Sequence, residues 1–208
     1  MLAITISVWW YRGGLDDVRS DYVTRVGQQK SILLTDGSQV LLNTDTAIAL
    51  DFAPERRTVR LFRGEAYFQI AKDETRPFLV QTAEGEVRVV GTKFNVRTMN
   101  HHTIVSVFQG WVDTVPESTH HKISAVHLGA GEETFLSQDG ASQVRRFDSA
   151  MVTAWRRGQM VFYHTPLEDV VTELNRYHHG RIVVLGDHLQ MLRVAGVFDA
   201  TKPRQGIH

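Results

Sequence analysis

Residues 31–43 read SILLTDGSQVLLN. Ile32 and Leu34 alternate with their neighbours into Asp36-Gly37, and Val40 and Leu42 alternate out of it. An Asp-Gly pair between two runs of period two is the strongest short-range hairpin signal, because both turn positions are then asked to tolerate positive φ. The same grammar extends outward from this segment. Val59 and Leu61 lead to Arg63-Gly64, with Ala66, Phe68 and Ile70 beyond. Val87 and Val89 precede Gly91, with Phe94 and Val96 after it, and Val105 and Val107 precede Gln109-Gly110, with Val112 and Val115 following. Polar-glycine breaks thus recur at Gly37, Gly64, Gly85 and Gly110. From Tyr22 to Phe147 no stretch carries helical periodicity, so the expected fold is mainly β, an antiparallel β-sandwich or roll.

The pattern changes near Trp155. Gly158 to Phe162 reads as one more strand, and Thr165-Pro166-Leu167-Glu168 then has the form of a capping box, with Thr165 as cap and Pro166 at the first helical position. Leu167, Val170, Val171 and Leu174 recur on one face of a helix. His178-His179-Gly180 would close it, with Gly180 in a left-handed cap. Ile182–Leu185 reads as a strand and Met191–Phe198 as another apolar run. The expected organisation is residues 1–14 as the remnant of a transmembrane segment, 15–150 as an all-β domain, and 151–208 as a small α/β (β-α-β) module, with a boundary near 148–154.

The chain of 208 residues carries 23 Lys and Arg against 23 Asp and Glu. A neutral balance disfavours nucleic acid, whose binding needs a surplus of cations to release counterions. With no cysteine there is no disulfide or thiolate chemistry, and the compartment stays open. Met1 to Tyr11, MLAITISVWWY, is uncharged and apolar, about half of the roughly 20 residues a spanning helix needs. Trp9, Trp10 and Tyr11 before Arg12 resemble the aromatic belt at the outer end of a span, which favours the tail of a membrane helix over a short buried strand or leader.

Residues suited to chemistry are sparse. The ten histidines include adjacent pairs at 101–102, 120–121 and 178–179, but neighbouring side chains point apart and cannot chelate one ion unaided. Asp36 and Glu65 both flank turns and read as structural rather than as an acid–base pair. Nucleophile-elbow, phosphate-loop and dinucleotide fingerprints are absent. The expectation is no enzyme, with no catalytic residue, metal or cofactor.

Several segments together carry a family resemblance. Asp36-Gly37-Ser38 with Leu42-Asn43-Thr44, Arg60–Phe68 (RLFRGEAYF), Arg76-Pro77-Phe78 with Val80, Gly91–Val96 (GTKFNV) and Gln109–Val112 (QGWV) follow in the order found in FecR-type domains. Trp155, Gly158, Phe162, Pro166-Leu167 and Leu174–Tyr177 (LNRY) resemble the C-terminal part of these proteins, which is similar to the short signalling domain of TonB-dependent receptors and secretins. The resemblance implies a periplasmic sensor anchored in the inner membrane of a Gram-negative bacterium. Such a protein binds the signalling domain of a TonB-dependent outer-membrane receptor and relays a siderophore or iron signal to an extracytoplasmic-function sigma factor. Measured against that resemblance, the expectation is that the cytoplasmic segment holding the sigma factor and most of the span fall outside these 208 residues, and that the C-terminal module is truncated before a further helix and strand.

Partner contact is expected on the C-terminal module, at Phe162, Leu167, Val171, Leu174 and Phe198, in competition with a purely core role for the same helix stripe. An open edge along Met191–Phe198 would recruit a partner strand. Trp111 and Trp155 are read as packing anchors. The alternative function is a free periplasmic adaptor or envelope-polysaccharide binder with no role in transcription, which would need exposed aromatics over a polar groove.

Overall fold

The computed structural model describes residues 14–99, 101–117, 125–186, 189 and 192–200. The expected membrane remnant, except for Gly14, and the His120-His121 pair lie outside these residues. A short helix α1 (Gly14–Val18) leads into β1 (Tyr22–Val23), β2 (Lys30–Leu33), β3 (Gln39–Leu42), β4 (Ala47–Ala53), β5 (Arg56–Arg63) and β6 (Glu65–Gln69). There follow β7 (Phe78–Gln81), β8 (Gly85–Val89), β9 (Lys93–Met99), β10 (His102–Gln109), β11 (Trp111–Pro116) and β12 (Val126–Gly129). β13 (Glu132–Ser137), β14 (Gly140–Ala141) and β15 (Arg145–Arg146) end this part. The chain closes with α2 (Ser149–Val152), a 3-10 turn at Ala154–Arg157, β16 (Gln159–Pro166), α3 (Leu167–Arg176) and β17 (Arg193–Asp199).

The first fifteen strands form two facing sheets. One has the order β1-β4-β5-β7-β8-β11-β12, and the other β14-β13-β10-β9-β6-β3-β2 with β15 also on β13. Pairing is antiparallel except between β5 and β7, which run parallel. Side chains of period two from both sheets fill the space between them, among them Val40, Phe68, Phe94 and Val107 against Val59, Phe78, Val87 and Val112. Phe68 and Phe94 stack with centroids 5.0 Å apart and Phe78 meets Phe68 edge-on at 6.2 Å.

The glycine breaks divide into two kinds. Gly37 (φ 83°) closes the expected β2–β3 hairpin, with Gly37 N–H donating to the Leu34 carbonyl. Only the glycine has positive φ there, so Asp36 occupies an ordinary turn position and supplies its carboxylate instead. Gly64 and Gly110 sit at corners where the chain leaves one sheet for the other, since β5 and β6, like β10 and β11, belong to different sheets. At Gly64 (φ 89°) a Cβ would lie 2.6 Å from the Asp45 carbonyl oxygen, so backbone freedom and space both demand glycine.

The last part pairs β16 with β17 antiparallel, with α3 packed beside them. Three local expectations fail here. Residues 181–185 form no strand, because no described neighbour offers them a ladder. Thr165 stays in β16 and donates to the Tyr163 carbonyl, leaving Pro166 at the cap position with no side-chain cap bond. α3 ends at Arg176 with Tyr177 as its cap, ahead of Gly180.

The two glycines give a paired test by urea denaturation. Gly37→Ala should cost about 1–2 kcal/mol from left-handed strain alone, since nothing lies within 4 Å of its Cβ. Gly64→Ala adds about 1–3 kcal/mol of backbone collision and should lower stability clearly more. Equal costs would refute the sheet-corner reading.

Candidate functional site

Alternation along β6 and β9 points Ala66, Phe68, Phe94 and Val96 into the sandwich and turns Glu65, Tyr67, Asn95 and Arg97 to the opposite face. This outer face receives the C-terminal residues. Tyr67, with Leu41 and Phe108, packs against Trp155, Met160, Phe162, Val170, Leu174, Tyr177 and Ala200. The Arg156 guanidinium lies 3.8 Å from the centroid of the Tyr67 ring.

Beside this apolar cluster is a buried polar one. Glu65, 3% exposed, accepts from Asn43 Nδ2 (2.9 Å), Asn95 Nδ2 (3.0 Å) and Arg176 Nη2 (3.0 Å). Asn43 Nδ2 also donates to Tyr177 Oη at 2.7 Å. Glu173 bridges Arg176 Nη1 (2.8 Å) and Arg97 Nη2 (2.5 Å), so two carboxylates and two guanidiniums alternate across the seam. Thr44 Oγ1 donates to the Arg176 carbonyl and Gln29 Nε2 to the Trp155 carbonyl. Burial alone would push Glu173 up, but Arg176 and Arg97 outweigh it and hold the carboxyl below its ordinary range. For Arg176, burial works to lower the pKa, yet Glu173 and Glu65 raise it. Burial, then Glu65, raises Tyr177, keeping its hydroxyl protonated as a hydrogen-bonding group.

A second fastening lies at the β2–β3 turn. Arg57, 1% exposed, donates to Asp36 Oδ2 (2.9 Å) and to the carbonyls of Ala71, Asp73 and Arg76, tying down the loop before β7. Burial would raise Asp36, but hydrogen bonds from Ser38 and Arg57 lower it overall. Asp36 and Glu65 are therefore each held by an arginine of their own, in keeping with structural roles. Among the described residues no group of three His, Asp or Glu side chains could hold a metal ion.

Of the residues expected to contact a partner, Phe162 and Leu174 are buried in the seam with the sandwich. Leu167 and Val171 are half-buried, and Phe198 meets Phe162 edge-on at 5.5 Å. The face turned away from the sandwich carries Tyr163 (79% exposed), Leu185 (81%) and Val197 (63%), with Val183 and Leu192 also exposed. A bulge between Phe162 and Thr165, with His164 at φ 54°, puts Tyr163 and His164 both outward. Strict period-two reading misses that pair. Trp155 is a packing anchor as expected, whereas Trp111 is not: it is 63% exposed on the outer face of the other sheet, stacked on His127 at 4.9 Å.

The fold and its fastenings define a two-layer β-sandwich that carries a small strand–helix–strand unit on one outer face. Residues 20–113 match the family model described as FecR protein. Two solved structures of a candidate anti-sigma factor from Parabacteroides distasonis are similar to the whole arrangement. One is 29% identical, with a TM-score of 0.72 over 86% of this chain and 84% of that one. The other is 28% identical, with a TM-score of 0.73 over 88% and 86%. No curated protein matches the chain.

Arg176→Met would leave Glu65 without its cation and should cost about 3–5 kcal/mol by denaturation. Glu65→Gln combined with Arg176→Met should cost less than the sum of the two single changes, because no unpaired carboxylate then remains at that position. Acid should also loosen the seam. The unfolded chain takes a proton on Glu173 near its ordinary value of 4.5, above the folded value. The contribution of Glu173 is therefore complete above that pH and lost as pH falls through the lowered folded value. Tyr177 acts in the opposite direction, its contribution being complete below 10.0 and lost as pH rises through the raised folded value. A melting temperature that is flat from pH 5 to pH 3 in the wild type would contradict the acid limb.

Proposed function

We propose that this chain is the periplasmic sensor part of a FecR-type anti-sigma factor regulator, a protein that works by binding other proteins and catalyses nothing. In this reading it binds the signalling domain of a TonB-dependent outer-membrane receptor. A siderophore or iron signal then passes to an extracytoplasmic-function sigma factor held by another segment of the regulator at the inner membrane. The match to the FecR family model and the likeness to a candidate anti-sigma factor support the regulator class. Among the described residues no helix is long and apolar enough to cross a membrane, so anchoring rests on the family reading alone.

One observation carries the partner assignment. The C-terminal unit leaves Tyr163, Val183, Leu185, Leu192 and Val197 exposed, five of the thirteen large apolar residues exposed among those described, while its seam-facing side is satisfied by the sandwich. An apolar surface kept in water marks a protein contact. The edge of β17 is also unpaired among the described residues, as the open-edge expectation required. Among the described residues the polysaccharide reading draws on two exposed aromatics, Trp111 and Tyr163, which lie in different parts of the fold.

Calorimetric titration of the chain with the signalling domain of the receptor encoded beside it should give micromolar or tighter binding. Leu185→Asp and Val197→Asp should each weaken it at least tenfold, and Trp111→Ala should leave it unchanged. A flat trace from two folded partners would overturn the receptor assignment, and loss of binding in Trp111→Ala alone would move the contact to the other sheet. Leu174→Asp should instead unseat the unit, seen as lost near-ultraviolet dichroism of Trp155, since it buries a charge in the seam.

A further inference from the structure

The Ala200 N–H donates to the Gly158 carbonyl, which makes Gly158 and Ala200 a hydrogen-bonded pair of the β16–β17 ladder. Antiparallel pairs alternate, so Met160 and Phe162 also bond across to β17, whereas the N–H and C=O groups of Gln159 and Val161 point the other way. On that side no described strand pairs with β16. What lies there is a groove of about 460 Å³. Its near wall is Gln159 and Val161, and its floor is the outer face of the sandwich at Met99, Ile104 and Phe135. Met151 and Val152 of α2 line it as well.

We propose that this groove takes an extended segment of another protein, added as a third strand to β16. A two-stranded sheet is marginal in water, and a free ladder edge beside an apolar floor is the geometry of strand addition. The methionines on the lining adapt to different side chains of the incoming strand. Charge restricts the occupant further. The groove is lined by Glu65, Glu133, Asp169 and Glu173 against Arg97 and Arg145. Both arginines are already paired, with Glu173 and Glu133. Asp169 is exposed at the rim and is given no cation by the described residues. The occupant therefore alternates apolar side chains toward the floor and carries a cationic residue to meet Asp169. The groove continues the seam through Trp155, Met160 and Phe162, so a strand seated in it touches both parts of the molecule at once. It is a different surface from the outward face of Tyr163, Leu185 and Val197.

The test is titration of the full chain with the peptide KVTVTVK, followed by amide hydrogen exchange. Binding should slow exchange at Gln159 and Val161 at least tenfold and leave Ala195 and Val197 unchanged. Val161→Pro removes one free-edge donor without touching the ladder to β17, and should weaken binding at least tenfold. Val197→Pro, on the opposite edge, should not. Asp169→Asn should weaken KVTVTVK severalfold and should not weaken the acidic analogue EVTVTVE, whose repulsion from Asp169 it relieves. Should Val161→Pro fail to fold, the exchange map of the unaltered chain decides. Protection at Ala195 and Val197 instead, or no protection at saturating peptide, would overturn the proposal. Protection of Gln159 and Val161 by self-association of the chain alone would overturn it too, making a second copy the occupant.

Discussion

Glu65 is a carboxylate that the fold has removed from water, and the position of the whole C-terminal unit depends on how its charge is met. Desolvating such a group costs several kcal/mol unless its lone pairs and charge are all answered. Here Asn95 answers from β9, Asn43 from the residue that follows β3, and Arg176 from the end of α3. The sandwich thus presents a socket, and α3 fits only where Arg176 reaches Glu65 while Glu173 reaches Arg97. Apolar contact between Tyr67 and Leu174 supplies attraction without direction, and the charges supply the register.

The same logic explains why the segments that resemble FecR-type domains fall where they do. In RLFRGEAYF, Gly64 turns the corner between sheets, Ala66 and Phe68 fill the core, and Glu65 and Tyr67 face the seam. In GTKFNV, Phe94 and Val96 go inward while Asn95 completes the socket. In DGS, Asp36 and Ser38 secure Arg57 and the loop before β7. A single run of alternating residues therefore serves the core on one side and the seam on the other. These motifs build the core and the seam; the outward apolar face of the C-terminal unit lies elsewhere.

That division accounts for what could be read in advance. The β class and the inward residues were legible because burial between two sheets imposes period two, which Val40, Phe68 and Val107 obey. The α3 stripe was legible at helical spacing, though spacing alone left core and partner contact in competition for Leu167, Val171 and Leu174. The role of Glu65 was not, because its partner Arg176 is far away in sequence and a carboxylate beside a turn has many ordinary explanations. Trp111 was misjudged as an anchor: the alternation of β11 puts Val112 inward and so turns Trp111 outward, over Gly129. Tyr163 was hidden by the bulge at His164, and Ile182–Leu185 looked like a strand because apolar composition does not reveal whether a ladder partner exists.

Residues 182–185 also bear on what the C-terminal unit is for. Ile182 packs against the seam cluster and Asn175 holds its backbone at both N–H and C=O, so the segment is pinned at its start. Beyond it, Val183 and Leu185 are exposed to water, with no strand alongside among the described residues. A free-standing unit with two paired strands and an apolar extension has little core of its own, and it draws its stability from the sandwich through the seam. The surfaces that remain, an outward apolar face and the two open edges of a short ladder, are those a folded partner would complete. Because α3 is held by charges that tolerate no sliding, a partner seated on either surface meets a unit whose orientation to the sandwich is already set.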